Sequence, residues 1–220
     1  MLLIELSINK DWFDFACTSR QTASTQEKIE KINIRENIDS LSNIYDIIFS
    51  LHCKQFFPKE LVKAVKCINI HPGFNPYNRG WYPQVFSIIN KLPIGATIHE
   101  MDEEIDHGKI IAQKEIVINN WETSLDVYNH IIEAEFIILK EQLLNILNNS
   151  YTSNPPLMEG NYNTISDFDS LKEIDLNTVE TARYFIDRLR ALSHGEFRNA
   201  FFKDPNTGKK IFIKVQLEKE

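Results

Sequence analysis

Asn69, His71 and Asp106 are residue types that together can move a small acyl group onto an amine. An attacking amine must shed a proton, and the tetrahedral intermediate it forms carries a negative oxygen. The side-chain amide of Asn69 can donate a hydrogen bond to that oxygen. His71, whose ordinary pKa is roughly 6.5, can stabilise the same oxygen as an imidazolium or relay a proton. Asp106 would orient the imidazole and accept, directly or through water, the proton lost by the amine. No nucleophilic side chain is required.

The elements that must hold these groups lie in residues 65–117. Residues 65–70 are an apolar run with Ile68 and Ile70 on one side and Asn69 on the other, as period-two alternation requires; His71 shares the side of Asn69. Pro72 and Gly73 end this predicted strand, because proline cannot donate to a ladder and glycine permits a sharp exit. Open α/β sheets carry their ligands at such strand ends. A second strand is predicted over 95–101, then an acidic loop from Asp102 to Asp106, Gly108, and a third strand over 109–117. Asp106 is therefore the carboxylate best placed to turn back toward His71.

The run His99-Glu100-Met101-Asp102-Glu103 invites a metal reading that the spacing does not support. A helical zinc motif needs histidines four apart, and Glu103 stands where the second would be. Gly95, Thr97 and Ile98 also favour a strand, so His99 is read as a satisfied strand histidine and no metal is expected. His107 and His130 have no partner legible in the sequence.

The chain has 220 residues, 43% of them hydrophobic, enough for one main domain with a small appendage. Its net charge of -7 argues against a nucleic-acid surface, which needs a basic stripe. Cys17, Cys53 and Cys67 are odd in number and lack C-x-x-C spacing, so neither a disulfide framework nor a cysteine-rich zinc site is indicated. No apolar run approaches the length of a membrane span, and residues 1–10 lack the features of a signal peptide; a cytoplasmic protein is the expectation.

A short strand is predicted over 12–17, a polar loop over 19–25, and uncertain short elements over 27–44. Residues 45–51 read as a buried parallel strand, ending in His52-Cys53-Lys54 at the same edge as His71. Helices are predicted over 58–65 and 83–90, each with proline in its first turn, and over 121–147, where Thr123 and Asp126 have capping-box-like spacing. Residues 148–156 read as a linker and 159–169 as irregular. Asn177 is the expected cap of a helix over 178–193, and residues 198–202 and 210–217 form a hairpin that must pack on something larger.

The Asn-x-His-Pro pair, the Arg79-Gly80 of the following loop and the Asp102-Glu103-x-x-Asp106-x-Gly108 segment resemble the folate-dependent formyltransferase family. The wording HPGFNPYNRGWYPQ, with SLHCKQFFP before it and RLRALSHGEFRNAFF near the end, is most similar to members that formylate dTDP-linked amino sugars, above all dTDP-4-amino-4,6-dideoxyglucose. The resemblance implies an α/β fold with a Rossmann-like sheet and helices on both faces, a small C-terminal helix and β-hairpin appendage, and a dimer made partly by that appendage. It implies N10-formyltetrahydrofolate as co-substrate, catalysis by Asn69, His71 and Asp106, and a role in O-antigen or surface polysaccharide synthesis.

By the same resemblance, His52, Cys53, Met101, Asp102 and Glu103 border the folate, the last two through their backbone. Lys54 would offer charge to a phosphate or sugar group, and Arg79, the only cation of its loop, would hold a pyrophosphate through paired hydrogen bonds. Trp81 and Tyr82 either wall the sugar or pack beneath the loop. A doubly wound domain opens with a strand, a turn and a helix. This chain reads as starting inside that helix, which predicts a missing first strand. The expected division is a catalytic core over 1–148 and a linker with a dimerisation and nucleotide-sugar subdomain over 149–220. The rival readings are glycinamide ribonucleotide formylation, a non-catalytic binder of nucleotide sugars or folate, and, more weakly, a metal-dependent hydrolase.

Overall fold

The structure, a computed structural model, describes residues 2–4 by their backbone and residues 33–220 in full. The strand predicted over 12–17, the polar loop over 19–25 and the start of the following segment lie outside the described residues.

Among the described residues the main sheet has five strands. β1, Leu2–Ile4, lies parallel to β2, Ile47–Leu51, and β2 lies parallel to β3, Lys66–His71. β1 thus stands at one edge of the sheet, beside β2. A 3-10 turn, Ile34–Glu36, and α1, Ile38–Ile44, precede β2, while α2, Lys59–Ala64, follows Pro58 as expected. β4, Arg79–Gly80, and α3, Pro83–Asn90, come next, and the helix has the bounds the sequence predicts. β5, Ile94–Glu100, runs antiparallel to β3, with β6, Ile110–Ile116, on its far side. The fold is therefore mixed α/β, a parallel set of strands extended by an antiparallel one.

The chain forms two compact units that alternate along it. The first comprises Met1–His71, Thr97–Gln113 and Glu135–Leu157; the second comprises Pro72–Ala96, Lys114–Ala134 and Met158–Glu220. In the first, the apolar faces of α1 and α2 close on the strands through Leu41, Leu61, Val65, Ile48 and Cys67. Residues 148–156, read as a linker, are strapped down within this unit. Asn154 and Ile110 exchange backbone hydrogen bonds of 2.8 and 2.9 Å, and Tyr151 and Ser153 donate their hydroxyls to Glu100.

In the second unit, Val85 and Ile88 of α3 pack with Val127 and Ile131 of α4, Ser124–Leu147, and with residues of the C-terminal segments. β7 is Tyr162–Asn163. Where the sequence predicts irregular chain, α5, Ile165–Lys172, forms instead; Thr164 and Asp167 make a reciprocal capping box, and Phe168 is buried. α6, Ala182–Leu192, is capped by Thr181, not by Asn177. Asn177 is taken up upstream, where its backbone and side-chain nitrogens both donate to Asp175. Of the arginines on α6, Arg190 is buried against Asp187, Asn119 and Glu122, and Arg188 donates to the carbonyls of Leu171 and Glu173; both do structural work. The short strands β8, Ser193–His194, and β9, Phe197–Arg198, lead to the hairpin of β10, Ala200–Lys203, and β11, Lys210–Ile213. Ala200 joins the core of this unit, so the hairpin does pack, as its marginal stability demands. Among the described residues no helix is long and apolar enough to cross a membrane.

Candidate active site

β3 ends at His71, and its alternation sends Ile68 and Ile70 into the core while Asn69 and His71 share the other face. The antiparallel register with β5 sets Asn69 directly opposite His99 and His71 directly opposite Thr97. The loop after β5 then brings in Asp106. Met101 donates its backbone N–H to Cys67 and Glu100 donates its own to Lys109, which draws the two ends of the loop together. Asp102 accepts from the backbone of Glu104 and meets His107 Nδ1 at 2.9 Å, tightening the turn. Asp106 itself has φ 53°, a left-handed conformation that Asp tolerates better than most residues. Gly108 passes so close to the carbonyl of Glu100 that a Cβ would not fit.

The outcome is a cluster of four polar side chains, His71 and His99 buried and Asn69 and Asp106 half-buried. Asn69 Nδ2 donates to Asp106 Oδ1 at 3.0 Å and lies 3.2 Å from His99 Nε2. His99 Nδ1 is 2.7 Å from the carbonyl of Glu100, an acceptor, so Nδ1 carries the ring proton and Nε2 is left to accept from Asn69. Both amide hydrogens of Asn69 are thereby engaged. His71 Nδ1 faces Asp106 Oδ2 at 3.5 Å, longer than a hydrogen bond but within ion-pair range. His71 Nε2 is buried and has no hydrogen-bond partner among the described residues. Burial lowers the pKa of His71 from 6.5 to about 4; Asp106 opposes the shift, and His99 and His52 add to it. The ring is neutral at neutral pH, with an open lone pair on Nε2 if Nδ1–H points at the carboxylate.

The other predicted site residues fall in two places. In the first unit, His52 follows β2 with φ 52° and meets both oxygens of Glu135, at 2.8 and 2.7 Å. Cys53 packs at the edge of the core and Lys54 is exposed beside it. Met101 also packs on that core, while the carboxylates of Asp102 and Glu103 are exposed, Glu103 pairing with Lys63.

In the second unit, Arg79 lies on β4, which pairs in parallel with β7. A polar knot shapes this loop. Asn78 is fully buried and bonded to Ser87, Asn90 and Asn161, and Gly80 leaves no room for a Cβ against Tyr162. Arg79 is only 8% exposed, yet its Nε has no partner among the described residues. A buried guanidinium nitrogen without a hydrogen-bond partner is costly. Tyr82 stacks on Phe168 with ring centroids 4.1 Å apart, and Trp81 tilts against Tyr82 at 5.8 Å.

His99 is the satisfied strand histidine the sequence predicts, buried on β5, but its contact with the amide of Asn69 was not legible there, nor was the place of Glu135. Glu135 is buried on the apolar stripe of α4, between Ile131 and Ile138. A charge on that stripe is itself a signal in the sequence. His107 and His130 pair with Asp102 and Glu122. Among the described residues no group of three or more His, Cys, Asp or Glu could hold a metal ion.

Comparison with known proteins bears on this arrangement. Residues 15–143 match the formyl transferase family, and residues 167–219 match the N-formyltransferase dimerization C-terminal domain. The dTDP-4-amino-4,6-dideoxyglucose formyltransferase of Mycobacterium tuberculosis (strain ATCC 25618 / H37Rv) is 46% identical over 192 residues, 87% of this chain and 82% of that protein. A 4-N formyltransferase from Francisella tularensis superposes with a TM-score of 0.86 at 47% identity, over 99% of this chain and 86% of that one. A sugar 3N-formyl transferase solved with dTDP and 5-N-formyl-THF has a TM-score of 0.62 at 26% identity, over 77% of this chain and 66% of that one.

Proposed function

This chain belongs to the formyl transferase family, and we propose that it moves the formyl group of N10-formyltetrahydrofolate onto the amine of dTDP-4-amino-4,6-dideoxyglucose. The observation that carries the reading is the cluster of Asn69, His71 and Asp106, in which a neutral imidazole is backed by a carboxylate and has Nε2 unpartnered. The sugar amine attacks the formyl carbon, and a new C–N bond forms. The amine's proton passes to His71 Nε2, whose imidazolium is then stabilised by Asp106 and turns from acceptor to donor toward the oxyanion. Asn69 joins in by turning an amide hydrogen from His99 to the same oxygen. Collapse breaks the bond between the formyl carbon and N10, and the proton goes to N10 of the departing tetrahydrofolate. The depressed pKa of His71 favours proton relay over an imidazolium present from the start.

The remaining assignments belong to the same reading. Arg79 holds the pyrophosphate, with Trp81 and Tyr82 toward the sugar, and Lys54 offers charge to a phosphate or sugar group. His52, Cys53, Met101, Asp102 and Glu103 line the folate pocket. The catalytic part is residues 1–148; residues 149–220 form a homodimer contact and a nucleotide-sugar subdomain, in keeping with the dimerization-domain match. The enzyme works in the cytoplasm, without a metal, on a precursor of lipopolysaccharide O-antigen or a related surface glycan. The test is formyl transfer followed by product mass, with the dTDP-4-amino sugar, its 3-amino isomer and glycinamide ribonucleotide as acceptors. Turnover of glycinamide ribonucleotide alone would sink the assignment.

A further inference from the structure

We propose that the buried pair of His52 and Glu135 is a positioning element of the acyl-transfer site, in which Glu135 clamps the histidine that stands beside His71 at the strand ends. The inference rests on the acyl-transfer reading of Asn69, His71 and Asp106.

The parallel register of β2 and β3 pairs Leu51 with Ile70, so the next residue on each strand, His52 and His71, are neighbours at the same sheet edge. Thr97 of β5 flanks His71 on the other side. His52 Nε2 is within hydrogen-bond distance of both carboxylate oxygens of Glu135, and the two side chains are 7% and 1% exposed. Burial pushes the Glu135 carboxyl above its ordinary pKa, and His52 is what opposes that rise. A buried carboxylate needs such a partner, because leaving it unpaired costs more than the pair gains.

His52 also has φ 52°, a conformation that persists in a non-glycine residue only where the surroundings dictate it. The loop that starts there carries Cys53 and Lys54, and Gln55, which accepts the backbone N–H of Ile34. The clamp therefore fixes both the beginning of that loop and the imidazole next to His71. The groups facing His71 are Asp106 from the loop after β5, His99 from β5 and His52 from β2. Glu135 from α4 and His71 are among those facing His52.

The experiment has two arms. In the first, the full chain with isotope-labelled histidine is titrated by NMR without substrate, as the native protein and as His52→Gln. Removing the neighbouring like charge moves the His71 midpoint up from about 4, by about half a pH unit or more. In the second, formyl transfer is measured for Glu135→Ala and Glu135→Gln, with circular dichroism confirming the folded fraction. Alanine lowers kcat about tenfold or more, the size expected for a lost buried hydrogen bond to a charged group, and glutamine, which still accepts from the ring, restores most of it. An unmoved His71 midpoint in H52Q, or native turnover by folded E135A, would overturn the proposal. If E135A does not fold, the titration and E135Q decide. A native chain that forms no product refutes the acyl-transfer reading, whereas the titration still judges the pair.

Discussion

Asn69 and Asp106 are joined by a hydrogen bond of 3.0 Å, and the donor is the side-chain nitrogen of Asn69, since an ionised carboxylate can only accept. The asparagine is thus engaged before any substrate binds. In the free enzyme it holds the carboxylate that faces His71.

Asn69→Ala should therefore cut formyl transfer by about two to three orders of magnitude, the usual loss of an oxyanion donor. Folding should change little, because Asn69 is only partly buried. Asn69→Asp should be at least as damaging, since it sets a second carboxylate against Asp106. Single-turnover kinetics with formyl-tetrahydrofolate check both, and an Asn69→Ala enzyme with native kcat would remove the residue from the mechanism.

The pKa of His71 gives stability a pH dependence with a definite sign. Its folded pKa, about 4, lies below the ordinary 6.5, so between these values the unfolded chain binds the extra proton. The contribution is complete above about 6.5 and is lost as pH falls toward 4, with a slope of up to about 1.4 kcal/mol per pH unit. Urea denaturation of native protein and His71→Asn from pH 7 to 4 should show a flatter profile for the variant.

Arg79 predicts an unusual separation of stability from binding. Replacing a buried cation whose Nε has no hydrogen-bond partner among the described residues by an apolar residue of similar length relieves a desolvation cost. Arg79→Met should melt at or above the native temperature while losing most affinity for dTDP, about 2 kcal/mol or more for a charge-assisted bidentate contact. Calorimetric titration with dTDP, alongside thermal melts, measures both. Native affinity in the variant would exclude Arg79 from the anion site.

The C-terminal segment is built into the second unit. Leu192 is 1% exposed within the core that also holds Val85, Ile88 and Phe168. Leu192→Ala should cost about 2–5 kcal/mol. Its denaturation midpoint should fall accordingly, whereas Ile211→Ala, on the exposed edge of β11, should cost far less.

How much of this the sequence carried depends on how local each signal was. Period-two alternation and the Pro72-Gly73 stop put Asn69 and His71 on one face of one strand end, and α3 begins and ends where Pro83 and its apolar spacing say it should. Both rest on neighbours within a few residues. The failures at α5 and α6 are also local. There a Thr164-Asp167 box overrides the polar make-up of residues 159–169, and a Thr181 cap takes the place expected of Asn177.

The site's inner wiring is a different matter. By itself the sequence determined which residue types could perform acyl transfer and which strand end presents two of them. Only the tertiary structure decided that His99 takes an amide hydrogen of Asn69, that Glu135 meets His52 across 83 positions of chain, and that Arg79 is buried with its Nε unpaired among the described residues. The physical reason is register and burial. An antiparallel pairing slipped by one residue would turn His99 to the opposite face, and whether a charge is paired depends on what the rest of the fold brings within a few ångströms of it.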